Sequence, residues 1–467
     1  MVRRDYRQRS VFEVLLPDGG KLCEPELSRI DEVLSDEDLI DLVQEALSRR
    51  SKRSCVAGRP GTPAEVVLRM LVLKHLYDWS FEECEREVRA NLIFRQFCRV
   101  GCERVADSKT LIRLSHVIGP DVLTAIVARL VAIARQRRVV RGSRMRVDTT
   151  VVETNIHYPT DSRLLADGVR VITRTAKRLV EKLGEKGLAM RDRTRAVARR
   201  VFALALASRS VAQEKGQAPM KKEKVQARMK KLYGELMGQT RAVIRQAERV
   251  VERAGRLKTA EPVKQLEAAV GLVRRVLAQT KARVFKGDTH YPDKVLSIFE
   301  SHTEAIRKGK AAKPTEFGKL VKIQEAEGQL ITDYEVLPKR VPDGQLWVGS
   351  LERHQKLFGK PPRLAVADSG FASNDNEQKA TQMGVRQVVL PRRGRLSPQR
   401  RNHQRQRWFR NGLRWRTGSE GRISALKRRH GLTRCRYRGQ EGMQRWVGLG
   451  VIANNLLALG RAGGTKT

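Results

Sequence analysis

The chain has 467 residues, 40% of them hydrophobic, which is enough for two or three domains with buried cores rather than a disordered polypeptide. It carries 94 Lys and Arg against 51 Asp and Glu, a formal net charge of +43. Such a chain repels itself unless a polyanion neutralises it, and nucleic acid is the commonest such partner. No apolar run approaches about 18 residues, and we see no apolar signal segment. We therefore expect a cytoplasmic protein and no membrane partner.

The six cysteines are scattered along the chain without any CxxC pair. Cys98 and Cys102, with Cys84 and His75 nearby, suggest a zinc cluster as an alternative. Their spacing matches no standard zinc knuckle, so we predict that the cysteines, Cys55 included, are reduced structural thiols.

The N-terminal part of the chain, to about residue 130, has apolar residues at helical spacing. Three N-cap signals precede its predicted helices: Ser35 with Asp38, the capping box of Ser80 with Glu83, and Asp107 or Ser108. Two helices at a short turn with a third following are typical of a helix-turn-helix module, and an ordinary helical bundle is the alternative.

The segment RMRVDTTVVET, residues 144–154, is rich in Val and Thr and predicts a β-strand. Asp148 lies in its middle. A carboxylate on a strand is costly to bury unless it is paired, protonated or bound to a metal ion. Asp148 is therefore the first candidate functional acid.

A long basic region follows, in which Leu, Ile and Val recur every three or four residues from about residue 163 to 283. This pattern predicts amphipathic helices in an inserted domain, packed as a hairpin or coiled coil. Beyond it, FGKLVKIQEAEGQLITDYEVL predicts a β-hairpin around AEGQ. A short helix over 349–358, the strand in RLAVADSGFAS, a polar helix and the strand RQVVLP then predict a βαβ crossover.

Two further acids complete the set of candidates. The apolar strand in RLAVADSGFAS ends at Asp368, and ligands of open α/β sheets bind just outside the carboxyl ends of strands. Glu420 is predicted at the start of a helix with Ser419 as its cap. Arg416, four residues before it, and Lys427, seven residues after it, share its helix face.

The stretch before that helix, PRRGRLSPQRRNHQRQRWFRNGLRWRTG, interleaves aromatic residues with arginines. Guanidinium groups such as that of Arg414 neutralise phosphates, while the rings of Trp408, Phe409 and Trp415 can stack on exposed bases. The stretch predicts a nucleic-acid contact. A basic linker with core aromatics is the alternative.

Four segments, in order, resemble the DDE transposases of bacterial insertion sequences. LKHLYDWSFEECEREVRANLIFRQFC with DSKTLIRL resembles the helical domain before their core, VDTTVVETNIHYPTDSRLL the first-acid motif, VADSGFAS the second, and RTGSEGRISALKRRHGLTRCRYRG the third. The family often shows an ordered Tyr, Arg, Glu and Lys in the third region. Arg416, Glu420 and Lys427 match that order, and Leu413 stands at the position of the tyrosine.

The resemblance implies an α/β fold with an RNase H-like mixed sheet flanked by helices. An N-terminal all-helical, DNA-binding domain would span 1–138 and the large basic helical insertion 163–284. The catalytic core would span 139–162 and 285–467, the second part ending in the C-terminal helices. In such a sheet the first strand is central and the strand ending in the second acid lies beside it.

The resemblance also implies the chemistry. Asp148, Asp368 and Glu420 would be the catalytic acids and would hold two Mg²⁺ ions, for which Mn²⁺ can substitute, because three close carboxylates repel unless cations neutralise them. Two ions about 3.5 to 4 Å apart activate the attacking oxygen and stabilise the leaving oxygen. Water would cut the element's end and the released 3′-hydroxyl would attack target DNA, with Arg416 and Lys427 holding phosphates.

The implied partners are double-stranded DNA, both the element's terminal repeats and the target, and further copies of the chain in a nucleoid-associated synaptic complex. Two other functions stay open: a non-catalytic DNA-binding protein or transposase relic, and a metal-dependent nuclease without strand transfer. Glu441 is an alternative third acid. Asp288 and Asp293 are predicted to be loop caps.

Overall fold

The structure is a computed structural model that describes most of the chain. The described residues are 1–6, 23–50, 60–184, 189–213, 219–255, 260–307 and 314–462, so Cys55 lies outside them. The chain divides into two compact units, one of Met1–Asn155 with Ile306–Thr467 and one of Ile156–Ala305. The predicted insertion, 163–284, lies within the second unit.

Helices form the N-terminal part of the first unit. They are α1 (Pro25–Leu34), α2 (Glu37–Ser48), α3 (Ala64–Leu76), α4 (Phe81–Ala90), α5 (Leu92–Phe97), α6 (Ser108–Val117) and α7 (Pro120–Gln136). Helix α3 is buried around most of its circumference, which is typical of the central helix of a bundle. Helix α4, which follows the short turn, carries four glutamates and so offers little attraction to DNA. Both observations favour the helical-bundle alternative.

Two of the three predicted helix caps are confirmed. Ser80 and Glu83 form a complete capping box, each side chain accepting the other residue's backbone N–H, and Asp107 caps α6. The prediction for Ser35 is wrong. Helix α1 extends to Leu34, so Ser35 ends that helix, and the carboxylate of Asp36 accepts the N–H of Leu39 in the first turn of α2.

A mixed sheet lies at the centre of the first unit. Its strands are β1 (Arg144–Glu153), β3 (Glu316–Ala326), β4 (Ile331–Val336), β5 (Leu364–Val366) and β6 (Gln387–Val389), and β2 (Glu304–Ile306) spans the residues where the two units join in sequence. Strand β1 lies between β3, its antiparallel partner, and β5, its parallel partner. The predicted hairpin is confirmed as β3 and β4, and the predicted crossover as β5 and β6.

Helices cover both faces of this sheet. These are α12 (Trp347–Phe358), α13 (Asn374–Gln382), α14 (Pro398–Arg405), α15 (Arg407–Arg429) and α16 (Gly439–Ala462). On one face Met145 and Val147 pack with Trp347 and Phe371. Arg146 points to the other face, along which α15 lies.

Helix α15 corrects one prediction. A helix beginning at Ser419 is wrong, since a single helix runs from Arg407 through the arginine-rich stretch. Phe409 and Gly412 are buried against Val389 and form an apolar stripe on this otherwise basic segment. That packing, rather than a cap, holds the stretch in helical form.

The second unit consists of long helices around their own apolar core. They are α8 (Asp161–Leu183), α9 (Thr194–Gln213), α10 (Pro219–Gly255) and α11 (Ala260–Lys286). Leu165 and Val169 of α8 pack with Leu236 of α10 and Val273 of α11. In the loop that follows, Asp288 accepts the backbone N–H of His290.

The length and hydropathy of each helix test whether it could span a membrane. In the described residues no single helix has the length and apolar character to cross a membrane. The bent pair of α6 and α7, with an angle of 83° between them, passes that test only when the two are taken together.

Candidate active site

The parallel pairing of β1 with β5 brings Asp148 and Asp368 to one edge of the sheet. Arg146 pairs with Val366 in this ladder, and each acid lies two residues further along its own chain. Strand β1 continues beyond the point where β5 ends, so Asp148 stands on a strand while Asp368 begins the turn. Acids from two distant segments thus occupy equivalent positions of neighbouring strands, Asp148 on β1 and Asp368 just beyond β5.

Asp148 is held by hydrogen bonds on both carboxylate oxygens. Oδ1 accepts the backbone N–H of Thr149 at 2.8 Å, and Oδ2 accepts the hydroxyl of Ser419 at 2.9 Å. The guanidinium of Arg416 lies 4.0 Å from Oδ2, and the Asp148 side chain is only 16% exposed. Helix α15 therefore supplies both a donor and a positive charge to this carboxylate.

Asp368 lies beside a carboxylate that the sequence prediction missed. Its Oδ1 accepts the N–H of Gly370 at 2.9 Å. A Cβ added at Gly370 would lie 3.0 Å from Asp343 Oδ2 and 3.1 Å from Asp368 Oδ1. The glycine leaves a gap between two carboxylate oxygens that any side chain would fill.

Asp343 is also joined to the first strand, since its Oδ1 accepts the hydroxyl of Thr149, the neighbour of Asp148, at 3.0 Å. It lies seven residues after β4. Strand β4 is antiparallel to β3, which is antiparallel to β1, so β4 runs parallel to β1 and ends at the same edge. The sequence signal that could have identified Asp343 was an acid shortly after a predicted strand. Using that signal required knowing the order of the strands in the sheet.

Glu420 lies in the middle of α15, with 68% of its side chain exposed. It pairs with Arg416 at 3.3 Å, so Arg416 stands between Glu420 and Asp148. Over the described part of the chain, no three His, Cys, Asp or Glu side chains come together as a group able to hold a metal ion. Glu420 thus joins the site through Arg416 and not through direct convergence of the acids.

The other predicted DNA-contacting residues lie along α15. We call Arg416, Glu420 and Lys427, which share one face, the acid side of this helix. Arg414 is exposed, whereas the half-buried Trp415 covers the guanidinium of Arg146 at 4.8 Å.

Trp408, also half-buried, meets the ring of Phe409 edge to face at 5.6 Å. Both tryptophans therefore contribute to packing, as in the alternative with core aromatics. The alternative third acid, Glu441, is exposed in the first turn of α16.

A buried charge network lies beneath α15. Arg146 binds Glu325 through two nitrogens, at 2.7 and 2.9 Å, and Arg422 approaches the same carboxylate at 3.4 Å. The Glu325 side chain is 2% exposed. A buried carboxylate shared by two arginines is satisfied in both charge and hydrogen bonds.

Helix α15 ends at a buried histidine. His430 donates from Nδ1 to the carbonyl oxygen of His75 in α3, at 3.1 Å. Burial lowers the pKa of His430 to about 4, so its ring is neutral at pH 7. This bond ties the end of α15 to the N-terminal helices.

Comparisons with known proteins give two family matches. Residues 20–116 match the family described as "Transposase domain (DUF772)", and residues 376–459 match "Transposase DDE domain". The second match contains α15 with Glu420. "Uncharacterized protein ORF8 in nfe locus" of Rhizobium meliloti is 32% identical over 127 residues, 26% of this chain and 61% of that protein. No solved structure matches the chain.

Proposed function

Since the chain belongs to the DDE transposases of insertion sequences, we propose that it cleaves DNA at the element's ends and joins the released 3′-hydroxyl to target DNA. One observation carries this proposal. Helix α15, from the segment that matches the DDE domain, donates to Asp148, which lies outside that segment. A third segment contributes Asp368 at the same sheet edge.

Asp148, Asp368 and Glu420 are the proposed catalytic acids and metal ligands. Their oxygens are the hard donors that Mg²⁺ takes, and Mn²⁺ accepts the same set. The gap at Gly370 supports a cation at this edge, because it leaves the Asp343 and Asp368 oxygens facing the same space. When bound, two such ions would polarise the attacking and leaving oxygens of the phosphodiester.

Arg416 is the proposed switch between the free and DNA-bound protein. It neutralises Glu420 and lies near Asp148, so its positive charge reduces the repulsion between the two carboxylates before DNA binds. A phosphate is a bidentate acceptor for the same guanidinium. Its arrival would draw Arg416 away from the carboxylates and leave their oxygens available to cations.

The remaining contacts extend along the helix and beyond one chain. Lys427 lies on the acid side as a point charge for a phosphate, while Arg414, Trp415 and Trp408 are the proposed DNA contacts of the arginine-rich segment. Pairing two element ends requires more than one copy of the chain. We therefore propose a homo-oligomer on double-stranded DNA, associated with the nucleoid.

The test uses labelled duplexes made from the DNA that flanks this coding region on each side, with an unlabelled target and Mg²⁺. Joined products are expected from the wild-type chain. Cleavage without joining would replace the proposal with a nuclease, and binding alone would replace it with a DNA-binding relic. A Glu420→Gln variant that cuts normally would move the third role to Glu441.

A further inference from the structure

A groove follows the side of α15 that faces away from Glu420. It encloses about 770 Å³ and is lined by six arginines: Arg146, Arg414, Arg422, Arg428, Arg429 and Arg461. We propose that this groove binds the sugar-phosphate backbone of duplex DNA, as a second contact separate from the catalytic edge. The proposed function identifies the polyanion as DNA, and the groove itself is argued from the charges below.

Helical geometry separates the groove from the catalytic acids. We call Arg414, Arg428 and Arg429 the arginine side of α15. At about 100° per residue, the centre of the arginine side lies roughly 150° around the helix from the centre of the acid side. A phosphate seated in the groove therefore cannot be the one held at Asp148.

The charges in the groove are of two kinds. Arg146 and Arg422, on its inner wall, share Glu325, and Arg461 of α16 pairs with Glu26. The three arginine-side residues are exposed and have no carboxylate within ion-pair distance among the described residues. Uncompensated positive charge in a concave surface attracts a polyanion.

Gly421 keeps the groove open. It lies in the interior of α15, where glycine costs about 1 kcal/mol relative to alanine. The neighbouring Gly418 is required by packing, because a Cβ there would collide with Arg146, but a Cβ at Gly421 would meet nothing within 4 Å. Internal packing gives no reason for Gly421, whereas close approach of a ligand backbone does.

The length of the arginine side suits a short stretch of duplex. Arg414 and Arg429 are fifteen residues apart on one helix, roughly 22 Å along its axis at 1.5 Å per residue. One DNA strand advances 3.4 Å per nucleotide, so the groove spans about six phosphates. This length fits a run of backbone phosphates, as on one strand of the proposed duplex, and not a single phosphate or nucleotide.

The test measures duplex binding against salt concentration, without cleavage, for the Arg428→Gln/Arg429→Gln double variant. Each lost phosphate contact lowers the slope of log K against log salt by about 1, so a decrease of about 2 is expected for any DNA sequence. The matched control is Arg363→Gln/Arg386→Gln, which removes two exposed arginines preceding β5 and β6 and should leave the slope unchanged.

A second variant tests the shape of the groove without changing its charge. Gly421→Leu fills the groove without changing the net charge and should weaken binding several-fold while helix content is retained. Equal slopes for the wild-type chain and the groove double variant would overturn the proposal, as would an equal decrease in the control. A wild-type chain that binds with the expected slope but never cuts would overturn the proposed function and leave the groove in place.

Discussion

The two sides of α15 both carry arginine, but the two sides differ in how that charge is balanced. On the acid side, Arg416 lies between Glu420 and Asp148, so its charge is balanced within the protein. On the arginine side, the exposed guanidiniums have no carboxylate within ion-pair distance among the described residues, whereas Arg146 and Arg422 on the inner wall share Glu325. The acid side is suited to exchanging its ion pairs for contacts with a phosphate, and the arginine side to holding a long polyanion.

The largest expected effect comes from the acid side. Asp148→Asn keeps the shape of the side chain and an acceptor for Ser419 but removes the negative charge that a cation needs. Metal ions supply several kcal/mol of transition-state stabilisation, so strand cleavage should fall on the order of 10³-fold. Cleavage of labelled element ends under single-turnover conditions measures this effect.

Duplex affinity provides the control for this variant. Because Asp148 is not on the arginine side, Asp148→Asn should bind DNA as tightly as the wild-type chain. A variant that loses binding and cleavage together would show that the two sides of α15 act as a single site.

The next largest effect concerns the paired inner wall. Glu325→Leu leaves Arg146 and Arg422 buried without their shared carboxylate, and breaking a buried ion pair in this way costs about 3 to 5 kcal/mol. Chemical denaturation should show this loss. Glu325→Gln, which keeps an acceptor oxygen, should lose clearly less, and equal losses would mean that shape rather than charge matters there.

Local patterns predicted much of the fold. The capping box at Ser80 and the hairpin around AEGQ depend on residues close in sequence, and both are confirmed. The predicted start of α15 was wrong because Ser419 followed by Glu420 resembles a helix N-cap. The apolar positions Phe409 and Gly412, hidden among arginines, decide that the helix begins earlier.

The site was less accessible to sequence reasoning because it depends on distances across the chain. The end of an apolar strand was enough to single out Asp368. Asp343 was missed because its role depends on β4 running parallel to β1, which no local pattern reveals. The exposure of Glu420 depends on how α15 is rotated against the sheet, and spacing along a helix does not fix that rotation.

The end of α15, on which both sides depend, should be sensitive to acid. The pKa of His430 is about 4 in the folded protein, against 6.5 for an unperturbed histidine, because the ring is buried. The unfolded chain therefore takes up a proton first. This contribution to stability is complete above pH 6.5 and is lost, by roughly 3 kcal/mol in all, as the pH falls towards 4.

Denaturation at pH 7 and pH 4.5 measures this loss. His430→Gln cannot take up a proton and should lose less stability between the two pH values. Part of the pH dependence should remain, because burial also lowers the pKa of His75. His290→Gln, at an exposed position, should behave as the wild-type chain does. If His430→Gln has the wild-type pH dependence, another group controls the acid response.

The smallest expected effect is the most direct test of the difference between the two sides. Arg416→Lys keeps the positive charge but loses the planar fork that can face Asp148, Glu420 and a phosphate together. Duplex affinity should stay the same while cleavage falls about tenfold, the equivalent of one charge-assisted hydrogen bond. Arg414→Lys, on the arginine side, should change neither, because attraction to a polyanion depends on charge and not on fork geometry. Equal losses of cleavage in both variants would mean that the pairing of Arg416 with the acids has no part in the chemistry.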